Sequence, residues 1–286
     1  MPTAGDFQTE AAATALTASY VVLVNERIDR LAPAVAAGTR QQLAAATYTL
    51  HFTVNTVATV RTLVAVDIYT GAQPGSLPLY FLPWCQNAAT EMTIPPGGAG
   101  PGIFMTSMLS GCSVQVHGTA ANPTITHANA RSTYDDAYTR LADWLKSGDH
   151  TPQQVHDFAE TRANTIATGA INAMLPATGG AHVGVVRKSD YAGKVTNGNL
   201  IRAQRSFLAT LPASQTISSY EVAKMALKPK TGAFVFGVRD LAHNWVFYYQ
   251  AAVEVEIEVD EKFMTAPKQH FTYDSAVLGQ PTRIFP

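Results

Sequence analysis

From Cys112 onward the chain alternates: Val114 and Val116 fall on the side of Cys112, while Ser113, Gln115 and His117 point the other way. A period of two belongs to a half-buried strand. Thr124, Ile125, Thr126 and His127 read as a second strand, with Pro123 at its start, where a missing N–H is tolerated. The Gly and Asn between them predict a hairpin. Similar alternation sets Tyr48, Leu50, Phe52 and Val54 against Thr49, His51 and Thr53. Asn55 and Thr56 then turn the chain, and residues 57–69 form a longer strand expected to pair with the first. Residues 78–84 are a third extended run, ending in Cys85. Later strands are predicted over 182–187, from Phe234 through Val238, and over 245–259. The tail of the last, residues 253–260, has one apolar and one acidic face, expected to be a solvated sheet surface.

Helical spacing appears elsewhere. Residues 8–30 carry Ala12, Leu16, Tyr20, Leu23, Val24 and, just beyond, Leu31 near one face, predicting an N-terminal packing helix. Ser132 to Asp135 has the pattern of a capping box, opening a helix that buries Tyr138, Leu141, Trp144 and Leu145. Thr151-Pro152-Gln153-Gln154 starts a longer helix reaching about Leu175, its inner side tracked by Val155, Phe158, Arg162, Ile166 and Ala170. Further helices are expected over 199–211 and 220–227. Residues 95–102, Pro-Pro-Gly-Gly-Ala-Gly-Pro-Gly, are too rich in breakers for a regular element and lack the Gly-Lys-Ser/Thr of a phosphate loop. Their place before Thr106 and Cys112 predicts a wall or flap of a cleft. The fold expected is α/β of the α+β kind, with a mostly antiparallel β-sandwich core flanked by helices. We expect one catalytic domain over 1–286, with an N-terminal helical segment at 1–40 and a target-recognition elaboration at 150–286.

A hairpin symmetric about residues 119 and 120 sets Val116 opposite Pro123, Val114 opposite Ile125 and Cys112 opposite His127. Opposed Cβ atoms lie roughly 4.5–5.5 Å apart, from which a thiol and an imidazole reach hydrogen-bonding distance. Such a pair activates the sulfur and later protonates a leaving amine. Ser110 and Gly111 just before it let the backbone approach a substrate and offer N–H groups for an oxyanion hole. Asp135 and Asp136 are candidates for a third carboxylate, although acids at a helix start are usually caps. Cys85 lacks a partnering histidine and reads as structural.

Leu109-Ser110-Gly111-Cys112, with His127 fifteen positions on and Thr106 six before, resembles the catalytic core of bacterial glutamine deamidase toxins. These are the cytotoxic necrotizing factor catalytic domain and the Burkholderia lethal factor type. The resemblance spans roughly residues 100–130. It implies a helix-flanked sandwich and metal-free hydrolysis of a glutamine side chain in a host protein. It also implies Cys112 as nucleophile, His127 as base then acid, and Thr106 orienting the imidazole. A cysteine protease or transglutaminase on the same pair is an alternative, as is a non-catalytic binding protein.

Composition narrows the rest. The chain has 286 residues, 47% of them hydrophobic, enough for a large core. Charged residues make up 14% and the net charge is −1, which argues against a nucleic-acid partner. Two cysteines give no disulfide framework and suit a reducing compartment. The eight histidines show no metal-ligand spacing, so no metal or other cofactor is expected. The apolar run 11–24 follows Asp6 and Glu10, unlike a Sec signal peptide, and is too polar for a membrane span. Taken with the resemblance, which implies a bacterial source and a host target, the expectation is a monomer that leaves the bacterium by a specialised route without a Sec signal peptide and acts in a host cytosol.

Overall fold

Two β-sheets packed face to face form the centre of the computed structural model, which describes residues 2–26, 34–56, 63–146, 148–178, 182–210, 225–258 and 270–286. A 3-10 turn (Ala4–Phe7) and helix α1 (Glu10–Ser19) lead into strands β1 (Val21–Glu26), β2 (Arg40–Leu43), β3 (Thr49–Thr56), β4 (Leu63–Tyr69), β5 (Leu77–Leu82), β6 (Ala89–Thr93), β7 (Ile103–Thr106), β8 (Ser113–Thr119) and β9 (Asn122–Ala128). Helices α2 (Arg131–Lys146) and α3 (Pro152–Met174) follow, then β10 (His182–Val186), α4 (Lys188–Tyr191) and α5 (Asn197–Thr210). The chain ends in β11 (Ala226–Arg239), β12 (Trp245–Glu258), β13 (His270–Val277) and β14 (Thr282–Phe285).

The larger sheet runs β1-β4-β3-β5-β7-β11-β12-β13, with β14 also on β12; the smaller runs β10-β8-β9-β6-β2. Pairing is antiparallel except between β1 and β4, β2 and β6, and β5 and β7. The alternation of β8 and β9 now has a physical reading. Val114, Val116 and Ile125 face the larger sheet, packing with Tyr80, Leu82, Phe104, Val235 and Phe247. The opposite face carries Ala89 and Ala128, covered by Ala167, Ile171 and Met174 of α3. The far side of the larger sheet curls over the 3-10 turn and α1, with Phe7 edge-on to Phe52, Phe234 and Phe236. The molecule is thus an α+β sandwich, with one sheet nearly closed upon itself.

Several expectations need correction. The N-terminal helix stops at Ser19, and Val21 to Val24 are strand, because a β-branched run can pair in parallel with β4 and bury itself there. Residues 27–30 lie outside the described residues, as do 57–62 of the long second strand and 220–224 of the last expected helix. Ala226 and Leu227 belong to β11. Trp144 is 66% exposed, while Ala137, Ala142 and Leu145 carry the buried side of α2. In α3 the Thr151 capping box forms as expected, but Ala159, Ala163, Ala167 and Ile171 face inward and Phe158 and Ile166 stay largely exposed. An alanine stripe lets that helix lie close to what it covers.

Residues 95–102 form no wall of the cleft at Cys112. The Arg239 guanidinium donates to the carbonyls of Gly97 (2.8 Å), Gly98 (3.1 Å) and Gly100 (2.8 Å), tying the segment to the end of β11. The acidic face of β12 is met by lysines of β11: Lys228 pairs with Glu258 and Lys230 with Glu256.

Candidate functional site

The β8–β9 hairpin turns at Ala120 and Ala121, so Ser113 faces Ala128, Val114 faces His127 and Val116 faces Ile125. Relative to the expected register this is a slip of two residues. Cys112, one step beyond Ser113, meets Asn129 in place of His127. The Asn129 Nδ2 donates to the Cys112 sulfur at 3.0 Å. That amide cannot turn over freely, because its Oδ1 accepts from the backbone N–H of Arg131 (2.9 Å) and of Asn87 (3.3 Å). The same bond caps the start of α2, helped by Asn87, whose Oδ1 accepts from the Ser132 N–H at 2.6 Å. Ser132 is therefore not the N-cap its spacing suggested; α2 begins one residue before it. Asp135 is engaged by Arg131 at 2.8 Å, the role of a surface ion pair.

Around the sulfur, burial pushes the Cys112 thiol up, opposed by the hydrogen bonds from Asn129 and from the Ser110 backbone. The turn that delivers it is held from α4. The Tyr191 hydroxyl accepts from the Gly111 N–H at 2.8 Å and donates to the Cys112 carbonyl at 3.0 Å. Gly111 has φ +94°, a conformation that glycine alone adopts cheaply, and it allows the turn. Its N–H, expected for an oxyanion hole, is therefore already occupied; the Ser110 backbone points at the sulfur instead.

His127 is on the same face of β9 as Asn129, one pair further in, and so lies diagonal to Cys112. Diagonal neighbours are roughly 7–8 Å apart, and no hydrogen bond joins this imidazole to the thiol. The ring is fully buried, and neither nitrogen has a hydrogen-bond partner. Burial draws its pKa down to about 3, so it is neutral at physiological pH. Thr106 does not orient it: its hydroxyl donates to the Ser107 carbonyl at 2.9 Å. The structure therefore gathers Cys112, Ser110 and Gly111 but leaves His127 and Thr106 out of hydrogen-bonding contact with them.

Cys112 lies on the floor of a cleft of about 720 Å³, whose sides include Trp84, Gln86, Met108, Ser110, Asn129 and Arg131. A second cleft, of about 670 Å³, shares Ser110, Asn129 and Arg131 with the first and continues past Tyr134 and Glu160 to Arg187, Lys188 and Lys230. Cys85 is buried and lines neither, although its neighbours Trp84 and Gln86 line the first. Among the described residues no three His, Cys, Asp or Glu side chains converge as metal ligands. No helix among them is long and apolar enough to cross a membrane.

Asn129 and Tyr191 were missed from sequence. Asn129 carried one readable signal, since a two-residue hairpin loop sets it opposite Cys112; Tyr191 is about 80 residues away and had none. No family model matches the chain, and no curated protein matches it in sequence.

Proposed function

We propose that the protein is a thiol hydrolase that deamidates a glutamine side chain of another protein, with Cys112 as nucleophile. The observation that carries this reading is a cysteine lining an open cleft with the Asn129 amide donating to its sulfur at 3.0 Å. Attack forms the carbon–sulfur bond while the thiol proton passes to His127, whose ring is neutral but, with its pKa drawn down to about 3 by burial, accepts the proton only once a polar substrate replaces its apolar surroundings. The Ser110 N–H and Asn129 Nδ2 then stabilise the oxyanion, in place of the engaged Gly111. The proton returns to the departing ammonia, and water hydrolyses the thioester to leave glutamate. The imidazole closes on the sulfur during this cycle, since catalytic hydrogen bonds commonly tighten only with substrate bound. A host protein as target, and delivery into a host cytosol, belong to the same proposal.

The sulfur's burial favours a second reading, a non-catalytic binding protein in which Cys112 only fills the core. One assay separates them: glutamine-bearing host proteins are incubated with wild type and with Cys112→Ser, and ammonia release and the mass change at glutamine are followed. Release by wild type alone supports deamidation. Peptide cleavage or amine incorporation in its place marks a protease or transglutaminase. No turnover, with a thiol inert to iodoacetamide, establishes the second reading.

A further inference from the structure

The second cleft has a charge unlike the rest of the chain. Overall, 20 lysines and arginines balance 21 aspartates and glutamates. This cleft is lined by Arg131, Arg187, Lys188 and Lys230 and by one carboxylate, Glu160, while from outside the lining Asp135 pairs with Arg131 and Glu256 with Lys230, so that the cations still outnumber the carboxylates that meet them. The Glu160 carboxylate is already engaged: it accepts from the Tyr134 hydroxyl and from Asn164 at 2.8 Å, and the Lys188 ammonium lies 4.0 Å away. Two of the cations are held in place before any ligand arrives. The Tyr134 ring carries the Arg131 guanidinium 5.6 Å from its centre and the Lys188 ammonium at 5.2 Å, and Lys188 also donates to Asn164 at 2.6 Å. Preorganised cations lose little freedom on meeting an anion.

The cleft is also continuous with the one that holds Cys112, through Ser110, Asn129 and Arg131. Helix α4 joins them a second way: Lys188 and Ser189 line the basic cleft, and Tyr191 of the same helix grips Gly111 and Cys112. We propose that the basic cleft binds an acidic stretch of the polypeptide whose glutamine reaches Cys112, so that carboxylates on one side of the target residue select the substrate. The proposal rests on the hydrolase reading for the glutamine's destination, but the binding of the acidic segment does not. A carboxylate-bearing peptide fits better than a nucleic acid. Of the two aromatic rings lining the cleft, Tyr134 already carries cations and Tyr191 is buried, which leaves no free platform for base stacking.

The test is fluorescence polarisation on Cys112→Ala protein, with a labelled peptide holding one glutamine followed by four glutamates and a control in which serines replace those glutamates. We expect the acidic peptide to bind at least about fivefold tighter at low salt, an advantage that shrinks at high salt as screening grows. Arg187→Gln, at an exposed position, and Lys188→Gln should each weaken it by about two- to fivefold and leave the serine peptide unaffected. Equal binding of the two peptides, or loss that ignores both substitutions, overturns the proposal. So does tighter binding of a single-stranded oligonucleotide, which reassigns the cleft to nucleic acid. Because the nucleophile is absent, a failure here leaves the hydrolase reading standing, and a failure of the ammonia assay leaves the acidic-segment site standing.

Discussion

His127 puts two nitrogens into an interior that offers neither a partner. An unfolded chain protonates this histidine below its ordinary pKa of 6.5, whereas the folded one resists until about 3. Between those values the unfolded state binds the extra proton, so stability falls as pH drops, by about 1.4 kcal/mol per pH unit from this residue. Above pH 6.5 the ring is neutral in both states and costs nothing through protonation. His127→Leu removes the penalty and also the unpaired polar atoms, each worth about 1–3 kcal/mol. Urea midpoints at pH 7, 5 and 4 should therefore fall less steeply for the variant, which should be at least as stable at pH 7 and inactive as a hydrolase. Parallel slopes would remove His127 as the acid-sensitive group. Asn129→Asp sets a carboxylate against the thiol, and should slow iodoacetamide labelling of Cys112 at pH 8 in a Cys85→Ala background. Cys112 and His127 were legible as residue types that do chemistry. Their separation was not, because it depends on a register that neither residue determines.

That register shows what alternation along a strand can and cannot encode. A slip of one residue would turn Val114 and Val116 away from the larger sheet, and the apolar pattern forbids it. The slip of two that separates expectation from structure keeps every residue on its face, so the pattern is blind to it. Strands β3, β8, β9, β11 and β12 were readable for this reason and β5 only as an extended run, while the pairing of Cys112 with Asn129 was settled by the turn at Ala120 and Ala121. The start of α2 teaches a related lesson: Asn129, just before the helix, caps it together with Asn87 from elsewhere in the fold, whereas the capping-box spacing pointed to Ser132. Asn87→Ala should cost about 1–2 kcal/mol in a denaturant titration, more than Ser132→Ala, because it removes the bond to the Ser132 N–H and puts alanine at φ +57°. The inner side of α3 was misread because large apolar residues were taken to mark burial. Its buried stripe is alanine, and Ala163→Leu should destabilise by about 1–3 kcal/mol through overpacking.

Across the whole molecule, one buried side chain of the last strands hydrogen-bonds the backbone of the first segment at three points. Gln250 of β12 is 1% exposed. Its Nε2 donates to the Thr17 carbonyl and, at 2.5 Å, to that of Tyr20, while its Oε1 accepts from the Val22 N–H at 3.0 Å. Those three backbone groups belong to the point where α1 ends and β1 begins, the junction that helical spacing concealed. A helix continued past Ser19 would have satisfied them internally. The chain instead breaks there and spends Gln250 on the exposed ends, which lets β1 join the edge of the larger sheet and bring Val21 and Leu63 against Ala252. The near-closure of that sheet thus depends on a polar residue in the middle of an apolar strand. Gln250→Leu keeps the volume and strands up to three buried backbone groups, each costing about 1–3 kcal/mol. The expected result is a fall in thermal midpoint larger than for any surface substitution proposed above, together with earlier hydrogen exchange at Val22 and along β1. An unchanged exchange pattern at β1 would mean that the strand is held by its pairing with β4 alone.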